Sequence, residues 1–279
     1  MFELKKVLTL DLVTIFAIIL LLIVALIFSP LGLGGGVLYV PIFHYILDWG
    51  FQESLIGSLT LVLMVTLGSG LAHSKSGNAD HKIANYGRMS AIPAAILGTI
   101  LSGLIIKFIG DVAVKILAII ILLFVVDQTI KKMNASSKEQ KLDFEYTHEL
   151  IQKYQIGTAF AGISSGLLGI GGGAILVTAN RNILKMDARQ SSGTSYLVAA
   201  TIVPFSLLSH LLLDGVVSEM IDTIGWFAII SVPIIVSLAA FFGAKFAIDN
   251  IPKGVVTKVF LGAVSLGIIR YLYDLISRI

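Results

Sequence analysis

The chain has no cysteine, which excludes a disulfide framework and any thiolate metal ligand. Charge is scarce too: 13% of the 279 residues are Asp, Glu, Lys or Arg, roughly half the share of a soluble domain. The net charge of +3 is spread over connecting segments and forms none of the basic stripes that bind nucleic acid. No glycine-rich stretch completes G-x-G-x-x-G, because Val37 and Ala174 stand where the last glycine is required, and no Gly-Lys-Ser/Thr follows; a nucleotide loop is excluded. His-Glu-x-x-His, paired aspartates and a supported Ser/His/Asp set are missing from the apolar runs as well, which argues against an enzyme.

What the chain has is hydrophobicity, with 56% apolar residues and a mean hydropathy of +0.94. Apolar runs cover 8–28, 55–71, 89–109, 112–130, 196–213, 225–246 and 255–276. Each approaches the roughly 20 residues that cross about 30 Å of hydrocarbon as a helix. The reading is an all-α polytopic membrane protein. Lys5 and Lys6 precede the first run as in a signal sequence, but that run is too long for one and Phe28-Ser29-Pro30 offers no cleavage site, so it is expected to be retained.

An offset of 137 residues lays 32–73 on 169–210 without a gap, with 12 of the 42 positions identical. Among them are Gly32, Gly34, Gly35, Gly36, Ser54, Ser58, Ser69 and His73. Three more residues in the next loop move the offset to 140, where Pro93 meets Pro233 and Gly103 meets Gly243. Apolar composition aligns leucines by chance, but not glycines, prolines, serines and a histidine in one register; the chain is an internal duplication. The polar stretch 131–150 reads as a linker, leaving a first transmembrane repeat at 1–130 and a second at 151–279.

Loop charges set orientation. The stretch 73–88 carries Lys75, Lys82 and Arg88, whereas its counterpart after His210 carries Asp214, Glu219 and Asp222. The connection 48–53 is acidic, whereas 181–189 holds Arg181, Lys185 and Arg189. Equivalent loops therefore face opposite sides, which predicts two inverted-topology repeats. Inversion needs an odd number of crossings per half, met if each half is a glycine-broken helical pair, re-entrant or crossing, followed by three transmembrane helices. A break also resolves 154–184, whose 31 residues would make a single helix of about 46 Å. This arrangement puts Lys5 and Lys6 outside, against the charge rule; eight spans in parallel repeats is the alternative.

Glycine costs about 1 kcal/mol relative to alanine in a helix, so Gly34, Gly35 and Gly36, echoed by Gly171, Gly172 and Gly173, need a reason. In lipid, irregular backbone survives only where protein buries it or a polar cavity borders it. The helix starts near Val37 and Ala174 present amide donors and a positive dipole end to an anion. These six glycines are the candidate substrate contacts, with close helix packing as the competing reading. Ser58, Ser195 and Thr194 are candidate hydroxyl donors, unless they bond back to their own helix carbonyls. His73 and His210 coincide in the repeat and are candidate coupling groups near neutral pH, against a plain interfacial role. His73, Asp80 and His81 lack a metal-ligand spacing, and no metal is expected. Asp127 and Arg270, late in the last span of each half, are ionisable residues that snorkelling also explains.

The repeated Gly-[Leu/Ile]-Gly-Gly-Gly, the aliphatic run that reaches Pro41 and the turn Gly193-Thr194-Ser195 resemble the sulfite exporter TauE/SafE family of membrane permeases. The resemblance spans both halves. It departs at Thr178, where proline would match, and at Ile56-Gly57-Ser58 in place of Gly-Thr-Ser. It implies a secondary transporter, exporter or permease, of a small anion such as sulfite or an organosulfonate. The glycine reading puts that anion between the two breaks near the membrane midplane. No cofactor is implied. With no ATP motif, an ion gradient is expected to drive the flux, the proton being the candidate coupling ion, and the expected location is a prokaryotic plasma membrane. A passive anion channel, and more remotely a membrane-embedded enzyme, are the alternatives.

Overall fold

A computed structural model describes residues 12–134 and 147–277, and its regular structure is entirely helical. The first half contains α1 (Leu12–Phe28), α2 (Gly36–Tyr45), α3 (Phe51–Lys75), α4 (His81–Phe108) and α5 (Asp111–Asn134). The second contains α6 (His148–Leu168), α7 (Gly173–Asn182), α8 (Ala188–Leu213), α9 (Val217–Ile224), α10 (Trp226–Asn250) and α11 (Lys253–Ser277). Among the described residues six helices, α3, α4, α5, α8, α10 and α11, are long and apolar enough to cross a membrane. The chain is a multi-pass membrane protein. With 10 residues each, α2 and α7 reach about 15 Å, half the thickness of a hydrocarbon core.

Local sequence sets several of these boundaries. Asp80 starts α4 by accepting from the Ile83 amide, Thr147 starts α6 through Leu150, and Asp187 starts α8 through Arg189 and Gln190. Apolar residues left largely exposed line up for lipid: Phe227, Ile230, Ile234, Leu238, Phe242 and Phe246 form one stripe along α10.

The helices pack in a pattern that repeats. α4 lies on α6 and α8, and α10 lies on α1 and α3; exchanging the halves converts each contact into another of the set. α3 and α8 meet in the middle. Small residues permit the tightest crossing: side chains at Gly162 and Gly166 would collide with the carbonyls of Ala91 and Ala95, which brings α4 and α6 backbone to backbone.

Two boundaries differ from the sequence reading. α5 continues to Asn134 and α6 begins at His148, so helix enters both ends of the expected linker; 135–146, like Lys5 and Lys6, lie outside the described residues. The acidic connection after His210 contains α9. Its apolar residues Val217, Met220, Ile221 and Ile224 share one face at helical spacing, opposite Ser218 and Asp222.

Candidate functional site

Both glycine stretches break the helix. Gly32, Gly34 and Gly35 have φ of 78°, 75° and 86°, and Gly169, Gly171 and Gly172 have 66°, 76° and 66°. That left-handed region costs an L-residue roughly 1–2 kcal/mol, so the glycines are required by conformation. The two non-glycine residues of positive φ among the described residues, Asp48 (54°) and Lys185 (55°), also lie 137 apart. The offset found in the sequence recurs in these backbone angles. Gly35 and Gly172 cap α2 and α7 without a side-chain hydrogen bond.

A break in a low-dielectric setting must satisfy the carbonyls it releases, and the two halves do this for each other. Ser58 Oγ donates to the Gly169 carbonyl at 2.7 Å, and Ser195 Oγ donates to the Gly32 carbonyl at 2.8 Å. These bonds interchange when the repeats are exchanged. Longer contacts, Ser58 to the Gly36 carbonyl at 3.5 Å and Ser195 to that of Gly173 at 3.4 Å, follow the same rule. Tyr196 Oη donates to the Phe28 carbonyl at 2.8 Å. Thr194 serves elsewhere, its Oγ1 accepting from the Asp80 amide at 3.0 Å and tying the start of α8 to the loop after α3.

The breaks touch. A Cβ on Gly36 would lie 2.5 Å from Ile170 Cα, and one on Gly173 would lie 2.7 Å from the Gly32 carbonyl oxygen. Beside them is a cavity of about 60 Å³, several times the roughly 10–15 Å³ that admits a water molecule. It is walled by Ala174, Val177, Thr178 and Arg181, one face of α7, together with Pro30, Leu31 and Leu33 of the first break, and Arg189 and Ser192 of α8. The structure brings the six candidate glycines, Ser58 and Ser195 together, but the cavity wall is made by their neighbours. Thr194 stands apart.

His73 and His210 are both buried and are not equivalent in bonding. His210 Nε2 donates to the Gly166 carbonyl at 2.7 Å, and its Nδ1 faces Asp214 Oδ2 at 2.7 Å. Both of its nitrogens are therefore engaged. The His73 ring lies beside the Ser29 backbone and 5.7 Å from the Tyr196 ring, and among the described residues neither of its nitrogens has a hydrogen-bond partner of good geometry.

The model of the sulfite exporter TauE/SafE family matches residues 17–271, a range that holds both glycine breaks, five of the six long helices and α11 as far as Tyr271. The chain belongs to the sulfite exporter TauE/SafE family. Its members are transporters rather than enzymes. No curated protein and no solved structure matches the chain significantly.

In this TauE/SafE chain the ionisable residues that matter inside the helices are largely ones the sequence reading passed over. Asp127 forms an exposed pair with Lys131 at 2.7 Å, and Arg270 lies over the Tyr45 ring, 3.8 Å from its centre. Lys115, by contrast, is fully buried, and joins Asp111 at 2.7 Å, Asp274 at 2.8 Å and His44 Nε2 at 3.0 Å. The signal was present: a lysine four residues after an aspartate inside the apolar run 112–130, and an aspartate near the end of 255–276.

Proposed function

We propose that the chain is a secondary carrier of a small anion, sulfite or an organosulfonate, in the plasma membrane, and that the anion binds where the two glycine breaks adjoin the Arg181–Arg189 cavity. The observation that carries this reading is the coincidence of three features at one place: broken backbone, a cavity and two arginines. The α7 start at Gly173 and Ala174 supplies amides and the positive dipole end. Arg181 and Arg189 supply full charge on the same wall, where the Thr178 and Ser192 hydroxyls donate to the Ala174 and Ala188 carbonyls of their own helices. In this reading Gly34, Gly35, Gly36, Gly171, Gly172 and Gly173 form the backbone cradle, with Ser58 and Ser195 holding its shape.

We also infer inverted repeats. Gly193, at the start of α8, packs against Asn78 and His73, at the end of α3, and Gly70 of α3 packs against Tyr196. Rising residue numbers on α3 thus meet falling numbers on α8, as expected when equivalent helices run antiparallel.

The test is sulfite flux in proteoliposomes. A carrier shows saturable uptake that internal sulfite accelerates by exchange. Arg189→Gln is expected to raise the half-saturation concentration about fivefold with a small change in maximal rate, as when roughly 1 kcal/mol of uniform binding is lost. Flux that rises linearly without saturation or exchange would replace the carrier with a channel, and no flux of sulfite or methanesulfonate by folded protein would remove the proposal.

A further inference from the structure

The buried cluster around Lys115 joins elements that the duplication keeps separate. Lys115 belongs to α5 of the first half, Asp274 to α11 of the second, and His44 to the last turn of α2, the short helix behind the first glycine break. Lys115 is 0% exposed, whereas Asp111 and Asp274 are 26% and 14% exposed, so the cluster reaches the protein surface through its carboxylates. The rings of Tyr45 and Phe51 lie 5.4 and 5.6 Å from the Lys115 nitrogen.

Hydrogen-bond logic fixes the state of His44. Nδ1 is 2.8 Å from the Trp49 carbonyl, which can only accept, so Nδ1 carries the hydrogen. Nε2 is 3.0 Å from the Lys115 ammonium, which can only donate, so Nε2 is a bare lone pair. His44 is therefore neutral, and the place where it would take a proton is occupied by Lys115. The groups that act on it are Lys115 and Asp111 of α5 and Asp274 of α11. Arg270 and Tyr271 of α11 reach it only through Tyr45, and α3 presents the edge of Phe51 at 5.7 Å.

A proton on Nε2 and the Lys115 ammonium cannot face each other at that distance. Protonation must expel Lys115, which is also the tie to Asp274 across the halves. His210 offers no such alternative, because acceptors already hold both of its nitrogens. At the place in the repeat that corresponds to His44 stands Arg181, which lines the cavity.

We propose that His44 is a proton-binding site of the transport cycle, at which proton uptake on Nε2 displaces Lys115 and releases the tie between α5 and α11. The bound species is the proton itself, and the coupling deepens the carrier reading on which it rests. Each proton moved with an anion allows about tenfold accumulation per unit of pH difference.

The experiment measures sulfite in proteoliposomes twice, as exchange without a gradient and as net flux under an imposed pH gradient. His44→Gln is the decisive variant, since the amide can donate to Trp49 and accept from Lys115 but cannot take the proton. The expected result is loss of the gradient-driven component, with exchange slowed alongside it, because a side chain that cannot take the proton leaves the Lys115–Asp274 tie closed. The protonation of sulfite itself is common to both proteins, so their difference reads His44. A gradient response equal to wild type in His44→Gln would overturn the proposal. Should that variant fail to insert, the wild type still decides with methanesulfonate, which carries no proton of its own: a gradient response with internal buffer acidified in step with uptake supports the site, and exchange that ignores the gradient overturns it while leaving the carrier standing. Absence of exchange in the wild type removes the carrier reading and this one together.

Discussion

Replacing Gly36 by alanine tests the central contact directly. Gly36 is the first residue of α2, and its φ lies outside the left-handed region, so alanine brings no conformational penalty of its own. What it meets is the other half of the molecule: the new Cβ would lie 2.5 Å from Ile170 Cα and 2.7 Å from the Ile170 carbonyl oxygen. Ordinary contact begins at 3.4 Å, so the two breaks must part by about 0.9 Å. Both are backbone atoms and no rotamer change relieves the clash. Overpacking of this kind costs roughly 1–3 kcal/mol, and a loss near 2 kcal/mol lowers a melting temperature by about 4–8 °C on the scale of large soluble domains. Gly173→Ala, which meets the Gly32 carbonyl at 2.7 Å, is expected to behave alike. Gly103→Ala supplies the contrast, because nothing stands within 4 Å of its Cβ and a helical Gly→Ala change is worth about 0.5–1 kcal/mol of added stability. Thermal unfolding in detergent, read by tryptophan fluorescence, measures all three. If Gly36→Ala melted with wild type, or no lower than Gly103→Ala, the direct contact of the two breaks would be refuted.

The serine exchange and the topology give two further predictions. Ser58→Ala and Ser195→Ala each strand a buried glycine carbonyl of the opposite half, and are expected to cost a similar 1–2 kcal/mol or so in the same melting assay; one costly and one neutral variant would contradict reciprocal bracing. Because the chain has no cysteine of its own, single cysteines at the exposed Ser76 and Ser218 can be labelled in intact cells with an impermeant maleimide. Inverted repeats require one to be reached from outside and the other only after permeabilisation; equal labelling rejects inversion.

How much of this was legible in the sequence depends on whether a feature occurs twice. The breaks were readable because three glycines at one place are costly in a helix and their recurrence 137 residues later removes accident. Six membrane-crossing helices were readable from length and hydropathy. α9 was not, because its acidic residues Glu219 and Asp222 read as loop charge and only eight residues carry its apolar face. Ser58 and Ser195 were legible as a pair but not as braces, since each donor's acceptor lies in the other half, 111 or 163 residues away, and no local pattern names it. The Lys115 cluster was hidden for the opposite reason. His44 is matched by Arg181, and Lys115 and Asp274 close one end while the corresponding end holds the cavity, so no second copy marks these residues. That asymmetry has a physical consequence. A carrier built from two equivalent halves must, in any one state, treat its two sides differently, since a fully symmetric arrangement would be open or shut on both at once. In the proposed carrier the repeated residues, the glycines and their serine braces, would build the frame common to all states. The unrepeated ones, His44, Lys115 and Asp274 at one end and Arg181 and Arg189 at the other, would make its two sides unlike, while the direction of net flux would follow the gradients across the membrane.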